Sequence, residues 1–133
     1  ELKKLDLEIV VHSSKNKNLN NKDIYIVDTF GESKKFYKIA STVFVGGSMI
    51  NRGGQNPLEP ARYGTKILHG PNVGNFKEIY DYLNFLKISS KVKTPLEISN
   101  SFKLKKNMSN VKKIDIIGNN ILKKTLKELN KSI

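Results

Sequence analysis

There is no cysteine in this chain. Disulfides, thiolate nucleophiles and thiolate metal centres are therefore excluded, and the composition suits a reducing compartment. Histidine is scarce: only His12 and His69 could supply imidazole, which argues against a multi-histidine metal site. No apolar run approaches the ~18 residues that read as a bilayer-spanning helix, and no signal-peptide pattern is present. Arginine is the last scarcity. Of 24 basic residues, only Arg52 and Arg62 are arginine and the other 22 are lysine.

That imbalance decides how the net charge of +12 is read. A basic balance invites a nucleic-acid partner. Arginine, however, is the residue expected where phosphates or bases are gripped bidentately. The Lys, Asn and Ile bias reads instead as a drift in codon composition. A basic nucleic-acid-binding module stays as the alternative reading, with no specific nucleic-acid partner expected. A lysine-rich face also suits an anionic membrane surface, at about 1 kcal/mol per well-placed lysine. With 133 residues and 38% hydrophobic content, the chain predicts one soluble globular domain with a modest core.

Taken in order, the chain opens on ELKKLD, which reads as the tail of a helix that begins upstream, so a fragment of a larger protein is expected. Leu7 to Val11 and Asp23 to Val27 read as strands, with His12 a surface residue between them. Asp28 to Glu32 is a loop at a strand's C-terminal end, the edge where open α/β sheets hold ligands. Asp28 or Thr29 could equally cap the helix predicted over Ser33 to Ala40, with Phe36, Ile39 and Ala40 inward. Thr42 to Val45 and Thr65 to Leu68 are further strands, and Lys87 to Val92 an edge strand. Asn75 is expected to cap a helix over Phe76 to Phe85, with Phe76, Ile79, Tyr80 and Leu83 in the core. Pro95 stands near another helix start, followed by apolar Leu96, Ile98, Phe102 and Leu104. Val111 to Ile133 carries Ile114, Ile117, Ile121, Leu122, Leu126 and Leu129 at near-helical spacing, with Gly118-Asn119 a possible break.

The central stretch, Val43 to Tyr63, combines a strand, two glycine pairs and a helix start. Gly46-Gly47 and Gly53-Gly54 allow positive φ and close backbone approach to a ligand. Asn56 suits an N-cap, Pro57 the first helical position and Glu59 the third. Open N–H groups and a positive dipole end at that helix start would suit a phosphate. The same Asn56-x-x-Glu59 spacing also fits a capping box, in which Glu59 returns to the Asn56 N–H and serves structure alone. On that reading every motif is a cap or a turn. Neither a Walker A loop nor G-x-G-x-x-G is present.

Three blocks give a more specific reading. DTFGE at 28–32, GGSMINRGGQNPLEPA at 46–61 and GPNVGNFKEI at 70–79 closely resemble the Kdo transferases, the 3-deoxy-D-manno-octulosonic acid transferases of lipopolysaccharide synthesis. The blocks stand in the family's order at about its spacing. The resemblance is dense over residues 23–82 and thin elsewhere. Gln55 and Asn72 stand where histidine is common in the family, and Val27 where glycine is usual.

The resemblance implies the C-terminal, nucleotide-sugar-binding half of a GT-B glycosyltransferase over residues 1–133. Its fold would be α/β, a Rossmann-like doubly wound parallel sheet. The donor would be CMP-Kdo and the acceptor the lipid A precursor, with no cofactor and no metal holding the nucleotide. Phe30, Gly31 and Glu32 match the segment at the cytidine end of the donor. Asn56, Pro57, Leu58 and Glu59 match the segment that holds phosphate and ribose. Asn56 would face phosphate, with Ser48 an extra donor. Glu59 would accept from the ribose hydroxyls, a task that suits an acceptor-only carboxylate. The family's catalytic carboxylate and acceptor surface belong to an N-terminal domain, expected to lie outside this chain with the start of the present domain. No catalytic residue is therefore assigned, and the chain alone is expected to be soluble and inactive. The full-length enzyme would work at the cytoplasmic face of the inner membrane.

Overall fold

The computed structural model describes residues 2–14 and 18–102 and, beyond them, residues 111, 112, 114–116, 118, 119, 123, 126, 127, 130 and 131. The chain divides into two compact units, residues 1–36 and 37–133, which are taken in turn.

In the first unit a 3-10 turn, Leu2–Leu5, precedes β1 (Ile9–Val11) and β2 (Ile24–Ile26). Both strands are β-branched or aromatic, which favours a pleated surface. They pair in parallel, Ile9 opposite Ile24 and Val11 opposite Ile26, and the His12 N–H continues the ladder to the Ile26 carbonyl at 2.8 Å. His12 is not the surface residue expected. It is half-buried, its Nδ1 lies 2.6 Å from the Tyr25 hydroxyl, and its ring meets Tyr25 and Phe36 edge-on at 5.7 and 6.2 Å. A ring at a strand end packs on its cross-strand neighbour, and the linear sequence does not display that neighbour.

Helix α1 (Ser33–Ile39) crosses the boundary between the units and buries no residue fully. Phe36 packs as expected, whereas Ile39 is 77% exposed. Tyr37 is half-buried instead, its ring 6.1 Å from that of Tyr63. The packed face thus runs through 36, 37 and 40, turned from the 36, 39, 40 stripe that periodicity suggests.

The second unit holds β3 (Thr42–Phe44), α2 (Leu58–Ala61), β4 (Lys66–His69), α3 (Lys77–Phe85), β5 (Ser89–Lys91) and α4 (Pro95–Ser101). The three strands are parallel in the order β3-β4-β5, with Val43 opposite Ile67 and Leu68 opposite Ser90. Central β4 is covered on both faces, as parallel strands require: Ile67, Leu68 and His69 are all buried. The alternation of parallel strands with helices is that of a Rossmann-like α/β fold.

The core joins Val45, Ala61, Ile67, Tyr80, Leu83, Ile88 and Ile114, with Phe76 and Ile79 packed against it. The four apolar positions expected along α3 therefore do form its inner face. Burying a side chain the size of Leu83 stabilises by about 1.5–3 kcal/mol. The helix stops where Lys87 takes a left-handed φ of 59°, which lets the Ile88 N–H donate to the Leu83 carbonyl at 2.9 Å. Lys66 snorkels along the sheet edge, its amine donating to the Lys87 and Ser89 carbonyls at 3.1 and 3.3 Å, and burial pushes its ammonium pKa down.

Two start signals differ from expectation. Asn75 does not cap α3. It sits inside a 3-10 turn, Gly74–Phe76, and its amide donates to the Arg52 carbonyl at 3.3 Å. Thr94, not singled out by sequence, caps α4 by accepting from the Glu97 N–H, with Pro95 at the first helical position as expected. Leu96 and Phe102 are exposed. Gly118 and Asn119, the expected break, are themselves helical. The expectations for Leu104, Ile117, Ile121, Leu122 and Leu129 lie outside the described residues.

Candidate functional site

The glycine stretch folds as a loop running from the end of β3 to α2. Its anchor is Ser48, which is fully buried. The Ser48 hydroxyl donates to the Val45 carbonyl at 2.6 Å and accepts from the Gly70 N–H at 2.9 Å. The Ser48 carbonyl also accepts from the Asn72 N–H at 2.9 Å. Gly70 must be glycine, because a Cβ there would collide with the Ser48 carbonyl. Ser48 thus clasps the 46–54 loop to the 70–75 loop. The extra donor expected of it is not on offer, since its one proton is already committed.

Gly47, Gly53 and Gly54 have positive φ, as glycine pairs allow. The second pair faces the 72–75 loop: a Cβ on Gly53 would collide with the Asn75 side chain, and one on Gly54 would lie 3.3 Å from the Val73 side chain and 3.4 Å from the Asn72 carbonyl. The close approach that these glycines permit is therefore loop against loop.

At the helix start, Asn56 Oδ1 accepts from the Leu58 N–H at 3.0 Å. The N-cap position itself falls on Pro57, one residue later than expected, so the Asn56 bond closes a turn ahead of the helix rather than capping it. Pro57 has helical dihedrals, φ −83° and ψ −12°, and its carbonyl takes the first helical bond, from Ala61 N at 3.2 Å. The reciprocal half of a capping box is missing. Among the described residues no hydrogen bond joins Glu59 to the Asn56 N–H. The Glu59 side chain, half-buried, makes no hydrogen bond or ion pair with any described residue.

The expected wealth of N–H donors is corrected here. α2 is a single turn, so its dipole is small. Pro57 and Pro60 have no N–H, and the Leu58 N–H is held by Asn56. Glu59 supplies the remaining N–H of residues 57–60. Pro60 carried that signal in the sequence, since a second proline in one turn removes a second donor.

In the first unit, Phe30 is fully exposed at the loop tip, beside Gly31 with φ 82°. Glu32 pairs with Lys35 at 2.7 Å, and that bond lowers its carboxyl pKa against the opposing effect of burial. Asp28 neither caps α1 nor stands open. Its carboxylate accepts from the Ser13 N–H at 3.0 Å and the Ser13 hydroxyl at 2.5 Å, and the hydroxyl bond leads in lowering its pKa.

A cleft of about 670 Å³ opens in the second unit, at the C-terminal ends of β4 and β5. Arg52, Asn72, Asn75, Lys77 and Lys91 line it, with His69 at its floor. None of the expected donor-binding residues Phe30, Gly31, Glu32, Asn56, Pro57, Leu58 and Glu59 lines it, whereas Gly53 of the second glycine pair does. His69 is held from both sides: Nδ1 bonds the Gly70 carbonyl at 2.8 Å and Nε2 faces the Asn84 amide, whose oxygen accepts from Ser89 at 2.6 Å.

No protein-family model matches the chain. A 3-deoxy-D-manno-octulosonic acid transferase of Rickettsia bellii is 31% identical over 118 residues, 89% of this chain and 28% of that protein. The same-named transferase of Haemophilus influenzae is 34% identical over 82 residues, 62% of this chain and 19% of that protein. Among solved structures, the C-terminal CMP-Kdo binding domain of WaaA from Acinetobacter baumannii aligns with a TM-score of 0.70 and 25% identity, covering 75% of this chain and 52% of that one. The chain belongs with the C-terminal part of the Kdo transferases. It spans about a fifth to a quarter of the length of these curated relatives.

This Kdo-transferase relationship carries the expected fold class with it, and nothing found favours the nucleic-acid alternative. Asn72, Asn75 and Lys77 of the block GPNVGNFKEI line the cleft, though nothing in their local sequence marks them as site residues. Lys91, on β5, reaches the cleft only through the β4-β5 pairing. Among the described residues no helix is long and apolar enough to cross a membrane.

Proposed function

We propose that this chain is the donor-binding part of a glycosyltransferase that moves Kdo from CMP-Kdo to a lipid A precursor. The observation that carries the proposal is the 0.70 TM-score to a domain that binds CMP-Kdo in a relative. The catalytic base, the acceptor contact and attachment at the cytoplasmic face of the inner membrane would come from an N-terminal domain. Within this chain, Glu59 is the residue best placed for a ligand role. Its carboxylate is half-buried and has no partner among the described residues, so the capping box does not account for it. It would accept from both ribose hydroxyls, with Asn56 toward phosphate and Phe30, Gly31 and Glu32 at cytidine, as the family resemblance implies.

The test is paired calorimetric titration with CMP and thermal melting of Glu59→Gln. Glutamine has one acceptor oxygen and no charge, and hydrogen bonds to charged groups contribute roughly 1.5–3 kcal/mol. CMP affinity should therefore fall by about tenfold or more while the melting midpoint stays in place. Unchanged affinity would remove Glu59 from the site. Absence of CMP binding by the unaltered chain would count against the donor reading itself.

A further inference from the structure

Residues 103–133 carry more than half of the chain's net charge: nine lysines stand against two acids, Asp115 and Glu128, a surplus of seven within the total of +12. Among them, residues 111, 112, 114–116, 118, 119, 123, 126 and 127 are helical. Ile114 is buried and joins the core. Lys112, Ile116 and Asn119 recur at steps of four and three, which puts them on one side of a helix, roughly opposite Ile114. Lys123, Leu126, Lys127 and Asn130 repeat that step, and the Asn130 N–H donates to the Leu126 carbonyl at 3.0 Å. All seven residues are exposed, Ile116 at 60% and Leu126 at 50%. Lys112, Lys123 and Lys127 make no hydrogen bond or ion pair with any described residue. The one described acid nearby, Asp115, falls at the margin of the stripe by the same spacing.

A cationic stripe that also bares two aliphatic side chains fits few partners. Ile116 and Leu126 gain by leaving water, and lysine stems lie along apolar surface while their ammonium groups stay in a polar layer. The interface of a bilayer with anionic headgroups meets both demands. A nucleic acid meets only the charge, because residues 103–133 contain no arginine to grip a phosphate and no aromatic ring to stack a base. We propose that this face lies on an anionic lipid surface, with Lys112, Lys123 and Lys127 at the headgroups and Ile116 and Leu126 inserted among them. The contact is one of lying on the bilayer, since no described helix is long and apolar enough to cross it. The inference does not rest on the donor reading. It gives the chain a membrane contact of its own, beside the attachment assigned above to an N-terminal domain.

The experiment is flotation of this chain with vesicles of phosphatidylcholine alone and of phosphatidylcholine mixed with phosphatidylglycerol. Binding should be confined to the mixed vesicles and should weaken as salt rises. Each well-placed lysine contributes about fivefold to partitioning, so Lys112→Gln, Lys123→Gln and Lys127→Gln combined should lower it about a hundredfold. Ile116→Ser leaves the charge unchanged and should still lower it about tenfold, as burial of an aliphatic side chain predicts. Lys4, Lys34 and Lys93 are exposed lysines elsewhere, and changing all three to glutamine should cost far less. Melting midpoints should stay in place throughout, because every altered side chain is exposed. Equal losses from the two lysine triples, or no effect of Ile116→Ser, would overturn the proposal, since charge anywhere on the chain would then suffice. Stripe variants that lose a single-stranded RNA yet keep the vesicles would overturn it too, and would give the face to nucleic acid.

Discussion

Val10 is the one buried apolar side chain among the described residues of the first unit, whereas the second unit buries Val45, Ala61, Ile67, Leu68, Tyr80, Leu83, Ile88, Val92 and Ile114. Both units repeat the same local grammar of strand, loop and helix. They differ in what covers the strands. β4 lies between two parallel neighbours and under α3, so its side chains leave water on both faces. Among the described residues β1 and β2 pair only with each other, and all of their residues but Val10 stay partly exposed. The carboxylates follow the same division. Asp28 and Glu32, in the thinly packed unit, are bonded to Ser13 and Lys35. Glu59, in the well-packed unit, has no such partner among the described residues. A core that supplies stability from elsewhere leaves polar groups available, and a thin one uses them to hold its loops.

That contrast can be broken most directly at the core. Leu83→Ala removes a side chain that is 1% exposed and should cost about 2–5 kcal/mol, read by urea unfolding. Val10→Ala loses only two methyl groups and should cost about 1.5 kcal/mol. Equal losses would mean that the two units do not differ in packing as described.

Next in size is an alkaline effect confined to the second unit. Burial raises the Tyr80 pKa to about 12, and its hydroxyl donates to the Gln55 carbonyl at 2.9 Å. The folded chain therefore keeps a proton that the unfolded chain loses near pH 10. The linked stability is fully present below pH 10 and falls by about 2–3 kcal/mol as pH rises toward 12. Denaturant midpoints between pH 9 and 12 should show that slope, and Tyr80→Phe should flatten it.

The smallest effect sharpens the first unit. Asp28 is held below its ordinary carboxyl pKa of 3.8 by the Ser13 hydroxyl. Its contribution is present above about pH 4 and lost as pH falls through the lowered folded value. A carboxyl-carbon NMR titration should place the Asp28 midpoint below 3.8, and Ser13→Ala should return it toward 3.8.

The same contrast governs what the sequence made legible. All five strands were expected within a residue or two, because apolar runs bounded by polar loops follow from burial alone. The inner face of α3 was legible through its 3.6-residue spacing. Ile39 was misplaced because a seven-residue helix presents too few turns to fix which face packs. The resemblance makes Ser48 an extra donor to the ligand, since nothing nearby in sequence shows that Gly70, 22 residues on, closes over it. The cleft was illegible for the same reason: Arg52, Lys77 and Lys91 converge only after two parallel crossovers.

The Ser48 clasp has a consequence for time as well as for shape. The Gly70 amide is buried and bonded to a side chain, outside any ladder or helix. Its exchange with deuterated solvent requires the two loops to separate, whereas neighbouring strand amides wait on opening of the sheet. One resonance, the Gly70 N–H, therefore clocks how often the mouth of the domain unlatches. A ligand seated across both loops should slow that clock without altering the rate at the heart of β4.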